Sequence, residues 1–248
     1  MPRSLFARYS PLLLVAAIWE AAPRLGLVNP EILPPLSTVL GAVVGLARGG
    51  DLAYHGWSSL LNLVAGLGLG IVVGVVLGVL MAWYRPIEAL MNPLVRVLYP
   101  LPRSALIPVM ILWFGLGAAS KIAAVFMGCL LPVVLSTFNG ARGVEQVLVW
   151  SAMAAGASRH LVLWEVVLPA AMPEILAGVR NALALSFILL VASEFLIGQR
   201  GMGYLISFLG EGGSYDGMFA GVIVVSAVGF FADRLYLLLM GWALRWRE

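Results

Sequence analysis

The chain has 248 residues, of which 62% are hydrophobic and only 11% charged, with a mean hydropathy of +1.00. An ordinary water-soluble domain carries about 25% charged residues, so these side chains cannot clothe a water-facing surface and the chain reads as an integral membrane protein. A single cysteine, Cys129, excludes an intrachain disulfide framework and a cysteine metal cluster. The net charge of +3 is read as arginines gathering at the cytoplasmic face, not as a nucleic-acid-binding surface.

In chain order, Arg3 and Arg8 precede an apolar run closed by Glu20 and Arg24. With no small-residue cleavage site after it, the run reads as a retained first span over about residues 10–27. Ser37 to Leu46 follows Leu33-Pro34-Pro35-Leu36 and reads as an interfacial amphipathic helix. Residues 58–83 exceed the roughly 20 needed to cross a bilayer. Gly66, Gly70, Gly74 and Gly78 form one small-residue stripe down that helix, for close packing either within the chain or against a second copy. Residues 87–114, with Asn92-Pro93, Pro100, Pro102 and Pro108, read as one long kinked helix. Ser120-Lys121 reads as an external turn, and residues 122–138 as the next span. After an interruption over about residues 140–173, spans at 174–197 and 218–239 flank a glycine-rich loop. The fold class is therefore all-α, a single polytopic domain over residues 1–248 with about six spans and both termini on one side. Arg3, Arg8, Arg85, Arg142, Arg159, Arg245 and Arg247 share that side, which makes it cytoplasmic.

The interruption is the most informative stretch. Val144, Val147, Leu148, Ser151, Ala152 and Ala155 recur at helical spacing on one face. Gly156 falls where a helix end calls for positive φ, Ser158 is placed to cap a second helix, and Pro169 is expected to stop it. The reading is a helix–turn–helix on the membrane face, with Arg142, Arg159, His160 and Glu165 on the opposite side from the small residues.

This pattern resembles the cytoplasmic coupling loop of the permease subunits of binding-protein-dependent type I ABC importers, whose signature is EAA, three residues, Gly, nine residues, Ile, one residue, Leu-Pro. Ala152, Gly156, Val166, Leu168 and Pro169 fall in that register, while Trp150 and Ser151 stand where the family has Glu and Ala. Leu106 to Gly117 resembles the IPL–LWFG stretch of permeases for sulfonates, taurine and nitrate, and Gly201-Met202-Gly203-Tyr204-Leu205 is similar to the family's GLGYL. Leu33-Pro34-Pro35 is similar to an element after the first span of the same permeases. The resemblance implies a bacterial inner-membrane protein in which two copies form the pore. Two separate ATPase subunits would carry ATP and Mg, and an extracytoplasmic binding protein would deliver substrate. It also implies that Ala152, Ala155, Gly156, Ala157, Ser158, Arg159, Glu165, Leu168 and Pro169 transmit motion from the ATPase. Substrates within that reading are a sulfonate, taurine, nitrate or similar anion; an aromatic carboxylate; or a vitamin precursor such as a pyrimidine or riboflavin. A non-transporting scaffold or channel is the alternative of another class.

No phosphate-cradling loop, metal-ligand cluster or partnered nucleophile occurs in the sequence, so neither catalysis nor a bound cofactor is expected of this chain. Ionisable and polar residues within spans are the remaining candidates, because hydrocarbon penalises charge. Arg96 and Arg103 either attract a passing anion or pair structurally with Glu88 or a backbone carbonyl. Glu194, next to Ser193, either faces a water-filled vestibule or is a hydrogen-bonded structural carboxylate.

Overall fold

A computed structural model describes the backbone of residues 5–247 and the side chains from Ser10 onward, except those of Ile197 and Arg247. Arg3 and the side chains of Arg8 and Arg247, counted above toward the cytoplasmic face, lie outside the described residues. The helices are α1 (Leu5–Arg24), α2 (Leu36–Gly49), α3 (Asp51–Trp83), α4 (Arg85–Leu98), α5 (Leu106–Phe114), α6 (Ala118–Arg142), α7 (Gln146–Ala154), α8 (Arg159–Val162), α9 (Leu168–Ile197), α10 (Met202–Glu211) and α11 (Tyr215–Ala243). Four helical runs among the described residues are long and apolar enough to span a bilayer: α3, α6, α8 through α9, and α11. The bent α4–α5 pair makes five. The expected count of six is not reached among the described residues: the first expected span corresponds to α1, which is 20 residues long and exposes Leu12 to Val15 but is not among the helices apolar enough to cross.

The centre of the bundle is α3 on α6 on α9, and the glycine stripe explains it. Gly66, Gly70, Gly74 and Gly78 face Val125, Cys129, Val133 and Thr137, a matching four-residue repeat on α6. A Cβ at the four glycines would lie 2.7, 2.9, 2.8 and 2.5 Å from those side chains. Glycine removes the obstacle, the two backbones close up, and the branched side chains of α6 fill the groove. The stripe is thus consumed inside the chain, which settles the alternative left open by its spacing. α6 returns the arrangement on its other face, where Gly140 meets Glu174 and Gly178 of α9 meets Ser136. Val125, Cys129 and Val133 are fully buried, and the Cys129 thiol donates to the Ala182 carbonyl at 3.3 Å. At the periphery, α2 starts after Pro35, and the carboxylate of Glu20 on α1 accepts from the Ser37 amide and hydroxyl, both at 2.9 Å.

Four expectations change. Residues 87–114 are not one kinked helix: α4 and α5 meet at 90° across Pro100-Leu101-Pro102 and a 3₁₀ turn, Arg103–Ala105. Two prolines two positions apart, Pro100 and Pro102, remove two amide donors and bias Leu101 away from helical geometry, so the helix breaks instead of bending. Ser120 and Lys121 are not an external turn but the buried first turn of α6, where the Ser120 hydroxyl donates to the Gly117 carbonyl at 2.9 Å. Pro169 does not stop a helix. A π-helical turn, Leu163–Val167, precedes it and widens the backbone where the proline ring would clash, so α8 runs through into α9 as one 38-residue rod. The glycine-rich loop, finally, holds a full helix, α10.

Candidate functional site

The connection between α6 and α9 is built by local chemistry. α7 ends in a Schellman arrangement: the Ala157 amide reaches the Ala152 carbonyl at 3.1 Å and the Gly156 amide reaches Met153 at 3.0 Å. This requires φ +90° at Gly156, and glycine alone adopts that value without strain. Ser158 caps α8 by accepting from the Leu161 amide at 3.3 Å. Val144, Val162, Leu163 and Val167 are buried with Ala171 and Ile175, and Val79, Ala82 and Trp83 at the end of α3 pack on them. This seats the element on the bundle.

Its other side is open. Val147, Leu148, Trp150, Leu161 and Trp164 are large apolar side chains between 44% and 63% exposed. Ala155, Gly156, Ser158, Arg159 and Glu165 share the open side, whereas Ala152, Ala157, Leu168 and Pro169 are half-buried toward the bundle. The expected division of faces is therefore corrected: Val144 and Ala152 point inward while Val147, Leu148, Ser151 and Ala155 face out. Arg142 is drawn aside by an ion pair with Glu88 of α4. That pair also takes away the carboxylate proposed for Arg96, which stands exposed on α4, while Arg103 is half-buried in the 3₁₀ turn.

Ser193 and Glu194 lie at the opposite end of the bundle and are both buried. Ser193 donates to the Leu190 carbonyl of its own helix at 2.7 Å. Glu194 is 0% exposed, which fits the hydrogen-bonded reading and not the vestibule. Its Oε2 accepts from the Ser59 hydroxyl at 2.7 Å and the Gly203 amide at 3.2 Å. Ser59 Oγ in turn accepts from the Met202 amide at 2.8 Å, and His55 Nδ1 from the Gly201 amide at 3.2 Å. Lys121 Nζ donates to the Arg200 carbonyl at 2.6 Å. These hydrogen bonds join Ser193 and Glu194 to Leu190, Ser59 and Gly203, and do not bring them together with Arg96 or Arg103.

Sequence reasoning missed His55, Ser59 and Asn62, which are buried on α3. A signal was available: positions 55, 59, 62, 66, 70, 74 and 78 continue the glycine stripe at helical spacing, so its polar end had to face the same neighbours.

A polytopic helical bundle that presents an exposed helix–turn–helix between two of its spans has the architecture of a membrane transport subunit. Residues 70–241 match the family model "Binding-protein-dependent transport system inner membrane component", and the chain belongs to that family as a multi-pass membrane permease. It is 31% identical to the taurine transport system permease protein TauC of Escherichia coli (strain K12) over 227 residues, 90% of this chain and 82% of that one. To an aliphatic sulfonates transport permease protein, SsuC, of Bacillus subtilis (strain 168), it is 33% identical over 234 residues, 94% of this chain and 85% of the other. An inward-facing structure of the MetNI methionine ABC transporter shares the fold, with a TM-score of 0.62 at 18% identity over 75% of this chain and 93% of that one.

Proposed function

We propose that the chain is the pore-forming permease of an importer for a small organic sulfonate, taurine or a closely similar anion. Two copies enclose the pathway, and two ATPase subunits dock on the open side of α7 and α8. ATP and Mg are held on those subunits and not here. An extracytoplasmic binding protein loads substrate from the other face, and the termini lie in the cytoplasm. The observation that carries the mechanical part is the exposed apolar side of α7–α8, made of Val147, Leu148, Trp150, Leu161 and Trp164 on an element whose inner side is firmly packed. Exposed apolar patches of this kind mark protein–protein contact. An element packed on the end of α3 and continuous with α9 passes displacement into the bundle, because close-packed interfaces shift between discrete arrangements. The substrate class rests on the taurine and sulfonate relatives.

The test is purification of the tagged subunit from its native membrane in mild detergent. A P-loop ATPase in equal amount, with vanadate-sensitive hydrolysis stimulated by the binding protein and taurine or an alkanesulfonate, is expected. A subunit that purifies alone across several detergents would overturn the reading in favour of a channel or scaffold.

A further inference from the structure

The cluster at the far end of the bundle is absorbed neither by ATPase docking nor by the packing of the core. α10 begins at Met202, and its first amides would have no partner inside their own helix. Two other helices supply them. Ser59 of α3 accepts from Met202, and Glu194 of α9 accepts from Gly203 and holds Ser59 by its hydroxyl. The partners are 143 residues apart for Ser59–Met202 and 135 for Ser59–Glu194, so this cap is assembled in the fold and not in the local sequence. A carboxylate under a helix N-terminus is also favoured by the helix dipole.

The glycines make the contact close. Gly201 has φ +120°, and a Cβ there would fall on the Glu194 carboxyl group. A Cβ at Gly203 would meet the Val191 carbonyl and stand 2.7 Å from Glu194 Cβ. The start of α10 thus lies flat on α9 with Glu194 as the fixed point. The preceding segment is tied to α6 by Lys121 at the Arg200 carbonyl. Among the described residues no hydrogen bond of good geometry reaches Glu194 Oε1, although Asn62 of α3 stands beside the carboxylate, so the group is fully buried with one oxygen tightly held and the other loosely placed. Such a network is retained for the geometry it imposes.

We propose that Glu194 and Ser59 form a latch that makes α10 move with α9, so that displacement of α8 at the cytoplasmic end opens and closes the outer end. This rests on the importer reading. α8, the π turn and α9 form one 38-residue run, about 57 Å long at 1.5 Å per residue. The same rod therefore begins at the exposed Arg159 and carries Glu194 two residues before its end at Leu196. Glu194 is a positioning residue: it fixes α10 and touches no substrate.

The experiment uses the complete transporter in lipid vesicles with a spin label on Phe208→Cys, an exposed position of α10, the only native cysteine being buried Cys129. Glu194→Ala and Ser59→Ala are expected to free the label and to lower substrate taken up per ATP by about tenfold, a usual size of coupling between sites, while hydrolysis continues. Glu194→Gln keeps an oxygen to accept from both donors and is expected to leave label and coupling near those of the unsubstituted complex. Unchanged coupling in Glu194→Ala, an immobile label there, or equal damage from Gln and Ala would each overturn the latch. A wild-type complex that hydrolyses no ATP would overturn the importer reading instead; the label spectra judge the tie between α10 and α9 in either case.

Discussion

The two ends of this bundle solve the same problem of ending helices in opposite ways. At α7–α8 the chain caps itself within a few residues, through Gly156 and Ser158, and leaves a broad apolar side uncovered. At α10 the cap comes from α3 and α9, and every group involved is buried. A surface that must meet another protein needs a self-sufficient backbone, since its partner is not always present. A closure within one subunit can borrow its caps from neighbours, and then it can move only when they do.

Substitutions can break that contrast at several strengths. The strongest effect is expected between the two ends, at Gly74→Leu, because a Cβ there lies 2.8 Å from Val133 and the helices have no slack. Overpacking of about 1–3 kcal/mol should appear as a lower unfolding temperature of the purified subunit and poor accumulation in the membrane. Trp150→Ala should leave that temperature unchanged, since the ring is 62% exposed, yet weaken ATPase binding by about 2 kcal/mol, roughly thirtyfold. Titration of the ATPase against reconstituted subunit measures it. Gly156→Val strains a left-handed position by about 1–2 kcal/mol although nothing lies within 4 Å of the added Cβ. Uptake should fall while the subunit still folds, and Gly156→Asn, which tolerates that backbone, should keep more of it. Ser158→Ala is the mildest, about 0.5–1 kcal/mol of local helix stability, seen as faster hydrogen exchange at Leu161 with uptake nearly retained.

These sites differ equally in how far the sequence reveals them. Gly156 and Ser158 were legible because helix ends are governed by neighbours in the chain, and the glycine repeat was legible because four-residue spacing defines one helix face. What it faced was not: nothing near Gly74 names Val133, 59 positions on. Pro169 misled for a physical reason, since the rule against proline holds for regular α-helix and the π turn before it changes the backbone. α10 was hidden because Gly198, Gly201, Gly203, Gly210, Gly212 and Gly213 read as a loop, whereas Gly201 and Gly203 serve close approach to α9 and Gly210 to α11. Glu194 could be recognised as costly in a membrane, but its partners Ser59 and Gly203 come from elements that only the fold brings together.

A connection of the two ends through α9 can be read out by trapping the ATPase. The complete transporter in vesicles, labelled at Phe208→Cys, is trapped with ATP and vanadate and its label environment compared with the nucleotide-free state. A clear nucleotide-dependent change is expected in the wild-type background and is expected to be lost in Gly156→Val, although the ATPase remains bound. The same change in both backgrounds, or none in either, would contradict that connection.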